Sequence, residues 1–360
     1  MIFSFKNTVT LISIIVVLML IFYLKTVVVY LLVSVVLALI GRPIMKFLNR
    51  PKIKGKSLPM FLKSGLTLMV LLTMFLGLFS LFTPLVVDEI KILSSIDVES
   101  VLVGLNDPIN DLDHFLKKHH LVNPTSNLKN ELSDLVRLTD IGALFNSAIG
   151  ILGNSLIALF SILFITFFLL KEKDIVNNFI IALTPTNKMK HIQNVLKNVK
   201  QLLSRYFIGI ILQIGIITII VSIGLSILGI KNAMLIGLLA GIINVIPYIG
   251  PLIGASLGII IGISTNLDLE FYSQMIPLIL KICIVFGSMQ MIDNFILQPL
   301  IFSNSVKAHP LEIFLVVISA GTIWGISGMV IAIPFYTVLR VIAKEFLFEF
   351  KIIQELTKNI

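Results

Sequence analysis

Within the apolar stretch 274–301 stand Gln290, Asp293, Asn294 and Gln298. On a helix Gln290, Asn294 and Gln298 fall at i, i+4 and i+8 and so share one face, with Asp293 beside it. A carboxylate at the bilayer centre costs about 2.5–3.5 kcal/mol on insertion scales, and it is normally paired, protonated or bordering water. The chemistry such a group offers is the handling of a cation or a proton. Asp293 is therefore the first candidate for that role, with the three amides as candidate binding groups. A structural role, in which these side chains only hydrogen-bond another helix, competes with it. Lys281 precedes Asp293 by twelve positions, about 18 Å on a straight helix, and is not its partner unless the helix breaks. Asn244, three residues before Pro247, supplies a further amide, either to the site or as a helix cap.

The elements that must position these groups are unusual. Residues 233–263 carry no charge and are broken by Pro247-Tyr248-Ile249-Gly250-Pro251. One span needs about 20 apolar residues, so the run is too long for a plain crossing. A break exposes backbone polar groups, which survive at membrane depth only against protein or a water-filled cavity. Discontinuous helices of this kind point to transport sites. Pro247, Tyr248, Gly250 and Pro251 are candidates for the break and for gating, as is Pro299 in a second interrupted segment, 275–302. Each segment is expected either to cross or to form a re-entrant hairpin, the latter suiting an elevator-like movement. Gly254, Gly258 and Gly262 line a smooth face for close helix packing, and Gly321 with Gly325 makes another.

Composition sets the class. Mean hydropathy is +1.04, 57% of residues are hydrophobic and 13% charged, against roughly a quarter charged in soluble domains. The expected fold is an all-α polytopic membrane protein, its partner the lipid bilayer. About eight apolar segments of spanning character fall at 9–24, 26–40, 60–84, 146–170, 206–228, 233–263, 275–302 and 313–340. The chain divides accordingly into three segments and a basic loop (1–84), an acidic helical insert (85–145), a fourth span with an amphipathic helix (146–205), a transport core (206–345) and a tail (346–360). The amphipathic helix, with Ile192, Val195, Leu196, Val199, Leu202 and Leu203 on one side, is expected to lie along the interface before Arg205 and Tyr206 open the next span. Its lysines suit snorkelling, with anionic-lipid regulation the lesser reading.

Arg42, Lys46, Arg50, Lys52, Lys54, Lys56 and Lys63 form a stretch without an acid, and 171–205 is also basic, so both are expected inside. The acidic insert belongs outside, and both termini are cytoplasmic. Lys6 precedes an apolar run without a small-residue cleavage site, so that run is expected to be retained. The net charge of +9 is spread over loops and makes no nucleic-acid footprint. Asp111, Asp113, His114, His119 and His120 have no spacing that demands a coordination geometry, so no metal or cofactor is expected. Neither a P-loop nor a membrane-embedded catalytic pair occurs, which points away from an ATPase and from an enzyme. A secondary transporter is favoured over a scaffold, which gains nothing from buried polar groups.

The sequence Asn244-Val245-Ile246-Pro247-Tyr248-Ile249-Gly250-Pro251 resembles the PYxGP signature of the autoinducer-2 exporter family of bacterial membrane proteins. Asp293 to Pro299, Val306-Lys307-Ala308-His309-Pro310-Leu311 and Gly325-Ile326-Ser327-Gly328-Met329 with Ala332-Ile333-Pro334 are similar to its later motifs, in the same order. One departure is Ile210 after Gly209, where relatives often carry Gln; here Gln213 comes later. The resemblance implies an inner-membrane permease forming a homo-oligomer, without an ATPase domain. Its members include exporters of a furanone-type quorum signal and sodium or lithium/proton antiporters. It therefore leaves open export of a small polar organic molecule and cation/proton antiport through Asp293.

Overall fold

Backbone amides in lipid must be satisfied within the chain, so apolar runs fold as helices. The computed structural model describes residues 19, 23–49, 52–53, 56–95, 110, 114, 117–118, 156–172, 174–266, 269–305 and 308–357. Most of the expected segment 9–24, most of the insert beyond residue 95, residues 146–155 and residues 358–360 lie outside the described residues. Apart from one short ladder the described elements are helical, and the chain is an all-α polytopic membrane protein. It divides into two units, Met1–Phe75 with Gly153–Phe207 and Leu76–Leu152 with Ile208–Ile360.

The first unit opens with α1, Lys25–Leu48, of 24 residues. The segment expected to end at Ile40 instead continues through Gly41, Arg42 and Pro43, reaching about 36 Å, enough for a hydrocarbon core of about 30 Å. Pro43 cannot donate to the carbonyl of Leu39, and the Ser204 hydroxyl donates to that oxygen instead at 3.3 Å. A two-residue antiparallel ladder, β1 (Lys52–Ile53) with β2 (Lys56–Ser57), follows. Helix α2, Met60–Ser95, runs through Pro84, so the boundary expected after residue 84 falls inside a helix. Against α1 packs α3, Leu156–Lys171, with the Ser34 hydroxyl donating to the Ile162 carbonyl at 3.0 Å. After α4, Ile175–Ala182, comes α5, Met189–Ile227, of 39 residues. The expected interfacial helix and the span after Arg205 are one continuous helix. No Pro stands near that junction, Tyr206 is buried, and Gly209 is carried within the helix, so nothing there ends it.

The second unit holds the rest of α5, then α6 (Ala233–Ile243) and α7 (Ile249–Ser264). A Cβ on Gly250 would sit 2.8 Å from the Asn244 Cα, one on Gly254 3.3 Å from the Ala240 Cα, and one on Gly258 3.2 Å from Ile236 Cγ2. Rising numbers meet falling ones, so α6 and α7 form an antiparallel hairpin. Its arms of 11 and 16 residues extend about 17 and 24 Å, short of a full crossing.

The segment 275–302, expected to be interrupted, is not. A π turn Phe271–Met275, α8 (Ile276–Ile292), a π turn Asp293–Leu297 and α9 (Gln298–Ser305) follow without a break, and Phe271–Ile301 is long enough to span. Pro299 is accommodated because the chain widens just before it, with the Gln298 N–H bonded to the Asp293 carbonyl.

The second hairpin lies instead in α10, Pro310–Phe346. Gly325 has φ 62° and ψ −148°, a conformation essentially restricted to glycine. Around it the chain doubles back. Tyr336 Oη donates to Glu312 Oε2 at 2.9 Å across 24 residues, which a straight helix would separate by about 36 Å. Gly325, expected on a packing face, is therefore the turn, with nothing within 4 Å of a Cβ built there. A Cβ on Gly321 would lie 3.0 Å from Met329 Cγ and one on Gly328 2.9 Å from Trp324 Cβ, both across the fold. Arg340 lies 5.7 Å from the Tyr336 ring centroid and donates to the Leu356 carbonyl of α11, Lys351–Thr357. Ile217, Val221, Leu225, Ile236, Ile282 and Met289 make the unit's buried core.

Candidate functional site

Asp293 opens the π turn that joins α8 to α9, and only 1% of it is exposed. Its Oδ1 accepts from Gln213 Nε2 of α5 at 2.7 Å. Its Oδ2 accepts from Asn244 Nδ2, at the C-terminal cap of α6, at 3.2 Å and from Gln298 Nε2 at 2.8 Å. Three carboxamides from three elements thus converge on one carboxylate. Among the described residues no cationic side chain bonds to it. Carboxylate oxygens accept, so the three N–H donors satisfy both of them.

Local structure explains why these groups meet. The glycine stripe of α7 sets the distance to α8: a Cβ on Gly258 would lie 2.6 Å from Phe286 Cε2, and one on Gly262 2.6 Å from Ile282 Cδ1. A side chain at either position would push these groups aside, so with glycine α8 rests close on α7 and Asp293 reaches the turn of the first hairpin. On the other side, a Cβ on Gly241 would stand 2.7 Å from the Ile214 carbonyl, which seats α6 against α5 near Gln213. π turns recur at functional sites because the widened turn re-aims side chains and frees backbone groups.

Asn294 is exposed and accepts from Gln290 Nε2 at 2.8 Å and Gln298 Nε2 at 3.1 Å. The i, i+4, i+8 face thus forms a ladder, tied to Asp293 through Gln298. Beside it lies a cavity of about 220 Å³. Asn244, Gln290 and Asp293 line its polar end, and Val221, Pro251 and Phe286 belong to its apolar wall. Asn294, Gln298 and Pro299 do not line it. Pro247 is buried within the hairpin turn, and Tyr248 follows it at φ 69°, uncommon for a side-chain-bearing residue. Its hydroxyl donates to the Pro310 carbonyl at 3.1 Å and its ring meets Phe314 edge-on at 5.4 Å. The turn of the first hairpin is thereby fastened to the start of the second. There His309 caps the helix, its Nδ1 accepting from the Leu311 N–H at 3.2 Å.

Gln213 is the member that sequence reasoning left out of the candidate set. Its signal was present: a primary amide among Ile210, Ile211, Leu212 and Ile214 within an apolar run.

Comparison with known proteins gives the geometry a context. The family model described as AI-2E family transporter matches residues 11–348. The chain is 27% identical over 184 residues to the "Putative transport protein YrrI" of Bacillus subtilis (strain 168), covering 51% of this chain and 50% of that protein. It is 33% identical over 177 residues to the "Putative permease PerM" of Escherichia coli (strain K12), covering 49% and 48%. The chain thus spans about half the length of the curated relatives it matches. The matched region holds every side chain around Asp293 and both hairpins, and on that basis this multi-pass membrane protein belongs to the AI-2E transporter family, whose members are transporters and permeases rather than enzymes.

Proposed function

We propose that the chain is a secondary transporter that uses an ion gradient to export a small polar organic molecule across the bacterial inner membrane. It works as a homo-oligomer with both termini cytoplasmic. The observation that carries this reading is a buried carboxylate held by three amides at the polar end of a cavity of about 220 Å³. Asp293 takes the coupling ion; Asn244 and Gln290 orient the solute's polar groups, and the apolar wall accepts its carbon skeleton. The hairpins supply movable elements, since each turns within the unit and can shift without breaking a full span. The sequence contains no phosphate-binding loop, which agrees with gradient coupling.

A second reading is sodium or lithium/proton antiport through Asp293, favoured by a carboxylate that bonds to no cationic side chain among the described residues. Proteoliposomes carrying a pH gradient separate the two. Organic solutes that collapse the gradient while sodium and lithium do not support export. Collapse by sodium or lithium alone overturns export in favour of antiport. In either case Asp293→Asn must abolish the response in protein that inserts and assembles normally; an active variant overturns both readings.

A further inference from the structure

In the first unit a cleft of about 140 Å³ opens between α1, the end of α3, α4 and the early part of α5. Most of its lining is apolar, including Val35 and Leu39 of α1, Val176 of α4 and Leu196 of α5. Two cations enter it, Arg42 and Lys200, together with Glu172 and Asn177. Arg42 is partly buried, and among the described residues it makes neither a hydrogen bond nor an ion pair; the same holds for Lys200. Partly burying a guanidinium without a partner is unfavourable, because its five donors give up water and receive nothing in exchange. Arg also suits phosphate through its planar, bidentate fork. The cleft further lies among the stretches richest in basic residues, 42–63 and 171–205.

We propose that this cleft binds an anionic phospholipid, its phosphate between Arg42 and Lys200 and an acyl chain along Val35, Leu39 and Leu196. A free anion would use the two cations but leave the apolar wall empty, so the wall selects a lipid. Glu172 is exposed at the cleft and accepts hydrogen bonds only, which favours a headgroup bearing hydroxyl donors beyond its phosphate over a second negative group. The glycerol headgroup has that character. The site is independent of Asp293, and its role is to seat the first unit in an anionic leaflet.

Short-chain phosphatidylglycerol, short-chain phosphatidylcholine and glycerol phosphate, each titrated into the detergent-purified full chain, test this through ligand-induced thermal stabilisation. Phosphatidylglycerol is expected to bind at least tenfold more tightly than phosphatidylcholine, with glycerol phosphate ineffective. Arg42→Gln and Lys200→Gln should each weaken phosphatidylglycerol binding about fivefold. Lys197→Gln, at an exposed position outside the cleft, should leave it unchanged. Equal binding of both lipids, phosphatidylglycerol binding undiminished in Lys200→Gln, or an equal response to glycerol phosphate would each overturn the proposal. Should Arg42→Gln fail to fold, Lys200→Gln against Lys197→Gln decides the matter alone.

Discussion

Replacing Gly325 by alanine reverses the sign of its effect depending on whether 310–346 is one helix or a hairpin. In an uninterrupted helix, Gly→Ala removes a residue about 0.8–1.0 kcal/mol less favourable than alanine, so the variant would be more stable. The structure places Gly325 at φ 62° and ψ −148°, with nothing within 4 Å of an added Cβ. No clash contributes, and the whole effect is backbone strain, about 1–3 kcal/mol of destabilisation for so sparsely populated a region. The two architectures therefore differ by about 2–4 kcal/mol, with opposite signs. The sequence's one tryptophan is Trp324, beside the turn, so its fluorescence reports unfolding at the right place. Reversible unfolding in mixed detergent micelles, titrated with dodecyl sulfate, supplies the assay. Gly215→Ala is the control, because Gly215 lies within α5 with open space around it and should gain about 0.5–1 kcal/mol. If Gly325→Ala is stabilised as Gly215→Ala is, the hairpin is refuted.

Three further outcomes are expected. Gln213→Leu removes the donor on Asp293 Oδ1; losing one hydrogen bond to a buried charge is worth about 1.5–3 kcal/mol, so transport in proteoliposomes should fall about tenfold or more, with assembly retained. Gly258→Leu drives a side chain into Phe286 and should destabilise the second unit by about 1–3 kcal/mol in the same unfolding assay. With Cys283 replaced by serine, cysteines at positions 312 and 336 should be joined by a thiol cross-linker of about 10 Å, an internal link that a straight helix, separating them by about 36 Å, would prevent.

The sequence made the polar face legible because helical periodicity alone groups Gln290, Asn294 and Gln298 and places Asp293 next to them. Asn244 was legible through its distance from Pro247, which lies in the turn of the hairpin. Gln213 was harder, since nothing within its own segment announces a partner; only the fold brings α5 alongside the π turn. The two breaks show why proline and glycine mislead in opposite directions. Pro299 reads as an interruption, yet it sits near the start of α9, where a widened turn accommodates its missing N–H. Gly325 reads as part of a packing stripe with Gly321, yet it supplies the one conformation in which α10 can reverse. Spacing records which residues share a helix face only while the helix lasts. For the same reason α5 passes through Arg205 and Tyr206 undivided: amphipathic and apolar patterns share one period, and their junction carries no residue that ends a helix.

Coupling through Asp293 is tested by the rate at which an imposed pH gradient collapses in proteoliposomes. Wild type and Asp293→Asn are compared after addition of sodium, lithium or a panel of small polar organic solutes. At least one addition should collapse the gradient through wild type and none through Asp293→Asn, although the variant inserts and assembles normally. Collapse through Asp293→Asn at the wild-type rate would contradict it, because the carboxylate held by Gln213, Asn244 and Gln298 would then have no part in moving the ion.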